Sequence, residues 1–382
     1  MEKHFNIIIA GAGGIAEAAG LILAEWSQVT PTIFIGNRTL SKAKAVAKWI
    51  EEGTTNACKV NAFLFSENEI TSEMETIFKQ GAIILDCLPG GQAPRIAQIA
   101  KDFHLHYANL TEYVAETEEI IALAKDAETG FILQTGIAPG YIDVLANALF
   151  EQFCADFNVN SADKLEFKVG ALTKNAVAPH YYGFTWSPIG VATEYIKNAI
   201  TIRNFSKTEV PALSERTTLI IDGVTYEADL TSGGAADLPD ALAGKVRDLD
   251  YKTIRFPGHY DWVQQQIERI GKSENIIEEL QKIMEKEIPL FEEDQIILFA
   301  AIEGKDSKGT LRRREIAKCI HPLQVGKHKL RAIQTTTAAP LVQSAQLLLE
   351  QDLKGVILQS QIDTQSFLNG NFIVPVYGSY NQ

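Results

Sequence analysis

Short hydrophobic runs alternate with amphipathic stretches along the first third of the chain. The runs have the length and the β-branched character of strands, and the stretches between them have the apolar spacing of helices. This alternation is typical of βαβ units and predicts a mostly parallel sheet. The candidate strands are Phe5–Ala10, Thr32–Ile35, Lys59–Phe65, Ile83–Asp86, His106–Ala108 and Phe131–Gln134. The candidate helices between them include Ile15–Trp26, Ser41–Glu51 and Ala93–Asp102.

The pattern changes after Pro139-Gly140. Strand-like runs become longer, alternate in polarity and are interrupted by Gly and Asp. One such run is Leu219–Glu227, where Asp222-Gly223 is a hairpin signal. The chain has 382 residues, and a chain of this length is usually too long for a single hydrophobic core. We therefore predict that a second, α+β domain begins at this point. Near the end, Leu341–Gln351 is helix-like and could return to the first domain.

Composition and charge exclude several classes of protein. With 46% hydrophobic and 22% charged residues, the chain resembles an ordinary globular protein. Its net charge of −13 repels phosphate backbones and acidic headgroups, so we expect neither nucleic acid nor a membrane surface as a partner. No stretch is long enough to span a bilayer. The four cysteines lie far apart without a CxxC spacing, and no charged leader precedes Phe5, so we expect a cytoplasmic protein.

The sequence predicts no metal site. Its seven histidines are scattered, and the close pair His104-Leu-His106 lacks evident Asp or Cys partners.

A glycine-rich loop follows the first candidate strand and opens the first helix. It reads Gly11-Ala-Gly13-Gly14-Ile15-Ala16 and fits the G-x-G-x-x-G/A fingerprint of dinucleotide-binding, or Rossmann, domains. Gly11 would form the tight turn, Gly13 would let a pyrophosphate approach, and the helix amides would bind the phosphates. The alternative is a tight turn that binds nothing.

The end of the second strand bears on the choice of cofactor. It lacks the acid that accepts the ribose hydroxyls of NAD, and carries Asn37, Arg38 and Thr39, with Lys42 one turn into the helix. Arg and Lys would bind a 2′-phosphate, so we predict NADP, with NAD possible. Alternatively, Arg38 and Lys42 only form a solvated surface.

The fourth strand also ends at the carboxyl edge of the sheet, where doubly wound folds bind ligands. We expect Leu88 and Pro89 to line the nicotinamide side. Cys87 precedes them, but an isolated thiol at a strand end is more often a small hydrophobe than a nucleophile.

Several segments resemble the saccharopine dehydrogenase-like family, which includes saccharopine reductases, lysine 6-dehydrogenases and carboxynorspermidine dehydrogenases. The resemblance covers almost the whole chain. It is most specific at Thr135–Gly140, Tyr182–Pro188, Thr231–Gly234 with Leu238-Pro239, Tyr251–His259 and Thr335–Ala339.

The resemblance implies an α/β fold with an N-terminal Rossmann domain, a doubly wound parallel sheet, at residues 1–138. An α+β domain for substrate binding and dimerisation would occupy residues 139–334, and residues 335–382 would pack back on the Rossmann domain. It further implies a homodimer, a small amino-acid substrate, and hydride transfer between nicotinamide C4 and a carbon that bears nitrogen. Two departures remove carboxylates that family members commonly have, because Ala138 and Asn109 stand in their places.

The candidate catalytic residues lie in the second domain. A forked arginine is the best receptor for an α-carboxylate, which suggests Arg255 and, less strongly, Arg203; either could instead form an ion pair. His259 is a candidate proton shuttle, or a helix-start hydrogen-bonding residue. Tyr182 and Trp186 are candidate walls of the substrate cleft, or core aromatics.

Several functions therefore remain open. The first is a saccharopine- or lysine-type dehydrogenase or reductase. The alternatives are a carboxynorspermidine-type reductase and a non-catalytic NAD(P)-binding sensor, which the missing carboxylates at Ala138 and Asn109 make conceivable.

Overall fold

The computed structural model describes residues 5–351 and 353–380. The chain forms two compact units. Unit 1 contains the residues up to Tyr141, Leu323–Leu330, and the residues from Gln334 onward; unit 2 contains Ile142–Pro322 and Arg331–Ile333. The boundaries predicted from the sequence were at residues 138 and 334, with no return of the chain at Leu323–Leu330.

Within the described residues, seven parallel strands form the sheet of unit 1, in the order β17-β6-β5-β4-β1-β2-β3. Numbered along the chain, they are β1 (Phe5–Ala10), β2 (Pro31–Asn37), β3 (Lys59–Leu64), β4 (Ile83–Asp86), β5 (His106–Asn109), β6 (Gly130–Ile132) and β17 (Gly355–Ile357). The six strands predicted from the sequence are present, with ends shifted by at most two residues.

Helices cover both faces of this sheet. They are α1 (Gly14–Trp26), α2 (Leu40–Gly53), α3 (Ser72–Gln80), α4 (Ala93–Asp102) and α5 (Val114–Ala124). Because successive side chains of a strand point to opposite faces, β1 buries Ile8 with the apolar residues of α3, α4 and α5, while Ile9 faces α1 near Gly20. The predicted doubly wound architecture is therefore confirmed.

The end of the chain completes unit 1. It contributes a short antiparallel pair, β15 (Leu323–Val325) and β16 (His328–Leu330), the helix α11 (Ala332–Glu350), the strand β17, and the short helices α12 (Thr364–Leu368) and α13 (Val374–Tyr377). His328 of β16 stacks on Trp49 of α2, with ring centroids 4.3 Å apart. The predicted return of the C-terminal segment is confirmed.

Helix α11 begins nine residues before the predicted start at Leu341 and contains Pro340. The two carboxylate oxygens of Asp294 accept hydrogen bonds from the backbone N–H groups of Ala332 and Ile333, each at 2.7 Å. Asp294 thus supplies the N-terminal cap from a distant part of the chain, where no local sequence signal shows it.

Unit 2 is built on a mixed sheet, in which the described part of the chain places eight strands. The main path is β10-β11-β12-β7-β13-β14, and β8 and β9 extend from β12. The strands are β7 (Ala162–Leu172), β8 (Ala199–Arg203), β9 (Ser206–Val210), β10 (Thr217–Ile221), β11 (Val224–Leu230), β12 (Val246–Arg255), β13 (Gln295–Lys305) and β14 (Leu311–Ile320). Asp222 and Gly223 join β10 and β11 with positive φ angles of 50° and 78°, which confirms the predicted hairpin.

Five helices of unit 2 accompany this sheet in the described part of the chain. They are α6 (Tyr141–Phe157), α7 (Pro188–Ile196), α8 (Leu238–Ala241), α9 (His259–Ile270) and α10 (Ile276–Glu287). An apolar cluster joins α7, α9 and α10 to the strands, with Val191, Val263 and Met284 packed near Ile254 and Ile297. This cluster holds the segments that carry the candidate catalytic residues.

Among the described residues, no helix combines the length and the apolar character needed to cross a membrane.

Candidate functional site

The glycine-rich loop joins β1 to α1 at the carboxyl edge of the unit 1 sheet. Gly11 has a φ of 125°, and its N–H donates to the carbonyl oxygen of Gly36 at 2.8 Å. A Cβ at Gly11 would lie only 2.9 Å from the carbonyl oxygen of Cys87, so the chain's own backbone requires a glycine there.

Gly13 has a different environment. It is exposed, its backbone is extended with φ −104° and ψ −179°, and a Cβ added there would meet no described atom within 4 Å. Its lack of a side chain is therefore not needed for packing within the chain. Gly13 is also the N-cap of α1, where the described residues provide no side-chain cap for the first-turn amides, which include those of Gly14 and Ile15. This open helix N-terminus fits a dinucleotide pyrophosphate.

A residue that the sequence analysis missed supports this loop. Gln334 of α11 donates from Nε2 to the carbonyl oxygen of Gly14 at 3.0 Å. The C-terminal helix therefore contacts the first turn of α1. The spacing between the two residues, 320 positions, leaves no local pattern that could have revealed the contact.

The predicted ribose-binding residues lie together at the end of β2. The side chain of Asn37 accepts a hydrogen bond from the N–H of Thr39 at 2.9 Å, and Thr39 is the N-cap of α2. Arg38 and Lys42 are exposed, and the first turn of α2 contains no acid. This arrangement can bind an anion through the helix amides and the two cationic side chains.

Arg38 has one ionic contact that the sequence analysis did not anticipate. Its Nη1 atom lies 3.2 Å from Oε1 of Glu67, which follows β3. Both side chains are largely exposed, at 74% and 52%. The end of β2 carries no acid of its own, but the connection after β3 places the carboxylate of Glu67 beside it.

The end of β4 forms a turn over a buried carboxyl group. Asp86 accepts hydrogen bonds from the N–H of Leu88 at 3.0 Å and from the hydroxyl of Tyr107 at 2.8 Å. Burial raises the pKa of Asp86 to about 6, although these two hydrogen bonds oppose the rise. Leu88 packs on the apolar core of unit 1 and Pro89 is exposed, so the pair can present an apolar surface at the sheet edge.

Cys87 lies in the same turn and does not resemble a nucleophile. Burial, together with the nearby charge of Asp86, raises the pKa of its thiol. The thiol is therefore protonated at neutral pH, which favours the interpretation as a small hydrophobe.

Replacing Asp86 by asparagine should change how stability depends on pH. Because the pKa of Asp86 rises from 3.8 to about 6 on folding, the folded state binds the proton more tightly, and stability falls as the pH rises through this window. Between about pH 4 and pH 7, the wild-type free energy of unfolding should fall by on the order of 3 kcal/mol relative to the variant. Urea unfolding at several pH values measures this difference.

The matched control is Asp126→Asn, which removes an exposed carboxyl group from the same unit. Its pH profile should follow that of the wild type. Parallel profiles for wild type and Asp86→Asn would show that Asp86 does not titrate in this range.

Asn109 pairs with Asp86 across β4 and β5. Its side-chain oxygen accepts from the N–H of Gln134 at 2.8 Å, and its carbonyl oxygen accepts from the hydroxyl of Thr135 at 2.7 Å. Asn109 thus links β5 to the segment that leaves the sheet. Asn109 itself provides no carboxylate, but the carboxyl group of Asp86 lies at the paired position on the neighbouring strand.

In unit 2, Arg255 lies in a buried aromatic cluster. The residue is 1% exposed, and its guanidinium carbon lies 4.7 Å from the ring centroid of Tyr182 and 5.6 Å from that of Tyr195. Its Nη2 atom is 3.8 Å from Oε2 of Glu194. The sequence left a carboxylate receptor and an ion pair equally open for Arg255, and in the structure groups of the chain itself engage its guanidinium. Its role as a carboxylate receptor stays a prediction.

The hydrogen bonds around His259 have a single consistent direction. Its Nδ1 atom lies 2.7 Å from the carbonyl oxygen of His180, and because a carbonyl only accepts, Nδ1 carries the proton. Because the lowered pKa of His259 keeps the ring neutral, Nε2 accepts, and the hydroxyl of Tyr195, 2.9 Å away, donates to it. The oxygen of Tyr195 in turn accepts from Nε of Arg255 at 2.6 Å.

The His259 ring is neutral at neutral pH for an electrostatic reason. Burial and the nearby charge of Arg255 hold the pKa of His259 well below its usual range. The sequence offered a proton shuttle as one possible role, on the ground that histidine ordinarily titrates near neutrality, and the lowered pKa of His259 removes that ground. The residue begins α9, as the alternative helix-start role implies, and the shuttle itself stays a prediction.

The aromatic candidates belong to the same cluster. Tyr182 is fully buried, with its ring centroid 4.7 Å from that of His259, while Trp186 is half-buried against the same apolar core. The side chain of Ser187 accepts from the N–H of Gly190 at 3.5 Å, which makes Ser187 the N-terminal cap of α7. Tyr182, Trp186, Arg255 and His259 are thus brought together by unit 2.

Arg203 has the ion-pair environment that the sequence analysis favoured for it. Its Nη2 atom lies 2.6 Å from Asp250 and 2.8 Å from Glu215.

The sequence did not point to Tyr195 and Glu194 as members of the cluster around Arg255. Both are ordinary positions of the helix α7 and belong to no recognisable motif.

No cluster of three or more His, Cys, Asp or Glu side chains suited to a metal ion occurs in residues 5–351 and 353–380.

Comparison with known proteins agrees with this geometry. Residues 7–133 match the model of the saccharopine dehydrogenase NADP binding domain, and residues 136–370 match that of the saccharopine dehydrogenase C-terminal domain.

Solved structures show the same fold. The apo histidine-tagged saccharopine dehydrogenase (L-Glu forming) from Saccharomyces cerevisiae is 12% identical with a TM-score of 0.71, over 94% of this chain and 95% of that chain. The homospermidine synthase from Legionella pneumophila, solved in complex with NAD, is 11% identical with a TM-score of 0.70, over 99% of this chain and 91% of that chain. The two domain models together cover nearly the whole chain, and the chain therefore belongs to the saccharopine dehydrogenase family.

Proposed function

We propose that this protein is an NADP-preferring oxidoreductase that acts on a carbon–nitrogen bond of a small amino acid. The observation that carries the proposal is the open glycine loop at Gly13, within a segment that matches the family's NADP binding domain. Among the described residues, no packing contact requires a glycine there, and a cofactor phosphate supplies a reason.

The residues of unit 1 have defined roles in this proposal. The first-turn amides of α1, including those of Gly14 and Ile15, bind the pyrophosphate, and Leu88 with Pro89 borders the nicotinamide. When bound, the nicotinamide supplies the hydride acceptor or donor for the substrate carbon. The chain itself provides position and excludes water, so a covalent role for Cys87 is not required.

The proposed preference for NADP rests on the second strand. Arg38, Thr39 and Lys42 surround an uncapped helix start, and a 2′-phosphate would interact with the cations and with the helix amides. NAD lacks the 2′-phosphate and so would not make these interactions.

Buried polar groups of unit 2 support a polar substrate. Nδ1 of His180 and Oγ1 of Thr185 are buried without a hydrogen-bond partner among the described residues, and both belong to the segment that carries Tyr182 and Trp186. Such groups are rarely left unsatisfied, so a substrate or an ordered water is the expected partner. The positive charge of Arg255 favours an anionic group such as a carboxylate nearby.

A polyamine-type imine is the second candidate substrate. The homospermidine synthase whose fold resembles this chain supports it, as does the acidic composition, with a net charge of −13, which attracts cations.

The test is a nicotinamide absorbance assay of the purified protein. L-lysine, saccharopine and carboxynorspermidine are each supplied with NAD⁺ and NADP⁺, and the reverse reactions are run with NADH and NADPH. We expect turnover of one amine or imine, with a higher kcat/KM for the phosphorylated cofactor. Silence across the panel, with NADPH still quenching tryptophan fluorescence, would favour a non-catalytic sensor. Equal efficiency with both cofactors would contradict the NADP preference.

A further inference from the structure

We infer that Glu67 is a specificity-determining residue that opposes binding of the 2′-phosphate of NADP. The inference rests on the proposed function, because it assumes that Arg38 receives this phosphate. The carboxylate of Glu67 lies 3.2 Å from the guanidinium of Arg38. It therefore competes with the 2′-phosphate for the same cationic group.

The backbone around Glu67 is held from several sides. The N–H of Phe65 donates to the carbonyl oxygen of Asn37 at 3.0 Å, which ties this connection to the end of β2. The carbonyl oxygen of Ser66 accepts from Arg95 at 2.6 Å, and the hydroxyl of Ser66 accepts from the N–H groups of Asn68 and Glu69. These bonds fix the backbone of the connection after β3 beside the end of β2, and from there the Glu67 side chain reaches Arg38.

The charges explain the direction of the effect. A phosphate that binds Arg38 must displace Glu67 or accept a like charge beside it. The first turn of α2 contributes no acid, so Glu67 is the carboxylate that the structure places on Arg38. Because the pair is exposed to solvent, the penalty is moderate, and NADH, which lacks the phosphate, escapes it.

The expected result concerns the ratio of the dissociation constants for NADH and NADPH. The Glu67→Gln variant should bind NADPH about threefold to fivefold more tightly and NADH within about twofold of the wild type. Quenching of intrinsic fluorescence, or calorimetric titration at low ionic strength, measures both constants without any turnover. Higher salt should shrink the difference.

The matched control is Glu69→Gln, which removes the same charge from the same connection but has no ion pair with Arg38. If both variants raise NADPH affinity equally, the effect is one of net charge, and the specific role of Glu67 is overturned. An unchanged ratio in Glu67→Gln overturns it as well.

A double-variant cycle separates this inference from the proposed function. Arg38→Ala should weaken NADPH binding about tenfold and NADH binding much less. In that background Glu67→Gln should lose most of its effect, since its partner is gone. If Arg38→Ala leaves both affinities unchanged, the proposed NADP preference fails. If Arg38→Ala acts while Glu67→Gln does not, only the role of Glu67 fails.

Discussion

Replacing Gly13 by valine should weaken NADPH binding by about 100-fold or more, while the protein stays folded. The backbone at Gly13 is extended, with φ −104° and ψ −179°, a conformation that valine adopts readily. No described atom lies within 4 Å of the Cβ position, so the described part of the chain leaves room for the branching carbon of valine. The new side chain does enter the space through which a pyrophosphate would approach the amides of α1.

Two measurements check this expectation together. Fluorescence or calorimetric titration gives the dissociation constant for NADPH, and thermal unfolding of the ligand-free protein gives the stability. Gly11→Ala is the contrasting variant: its φ of 125° and the 2.9 Å approach to Cys87 predict a loss of stability. Undiminished NADPH binding by Gly13→Val would remove the loop from the cofactor site.

The second large effect concerns stability of unit 2. Replacing Arg255 by leucine should lower the free energy of unfolding by about 3–5 kcal/mol, the usual result of removing one partner from a buried charged cluster. The change removes the cation beside Glu194 and the donor to the Tyr195 hydroxyl, and it leaves a void between the rings. Urea unfolding, with tryptophan fluorescence as the probe, measures the loss.

Arg247→Ala provides the control for the arginine change. Arg247 pairs with Asp163 and Asp248 on the surface of the same unit, and its loss should barely move the unfolding midpoint. Should Arg255→Leu unfold at the same urea concentration as this control but show a raised KM for substrate, Arg255 would be a substrate-binding residue instead of a structural one.

The central strands β1, β2 and β4 were predictable because each is a compact, largely buried apolar run. The edge strand β3 has exposed ends and was found from its β-rich composition between helix signals. The strand β17 was missed since three residues carry no period, and its partner β6 is remote in sequence. The start of α11 was missed for a related reason, because its cap comes from Asp294.

The residues of the candidate site also fall into two groups, those that a local motif reveals and those that only tertiary contacts bring together. The glycine loop and Arg38 follow one another along the chain, so a local motif was sufficient to find them. Glu67, Gln334 and Tyr195 reach their partners only through tertiary structure, and their own neighbours in sequence carry no signal. Local reasoning therefore found the cofactor loop but not the groups that tune and support it.

The order of the strands also bears on biosynthesis. Strand β17 pairs with β6 although it lies 225 residues later in the chain. At about 5–20 residues per second, the ribosome would need roughly 10–45 s to deliver it, during which β6 is an unpaired sheet edge. The residues of unit 2 are translated almost entirely within that interval. The nascent N-terminal sheet is therefore exposed to edge-to-edge association, and to chaperone binding, for longer than a contiguous Rossmann domain would be.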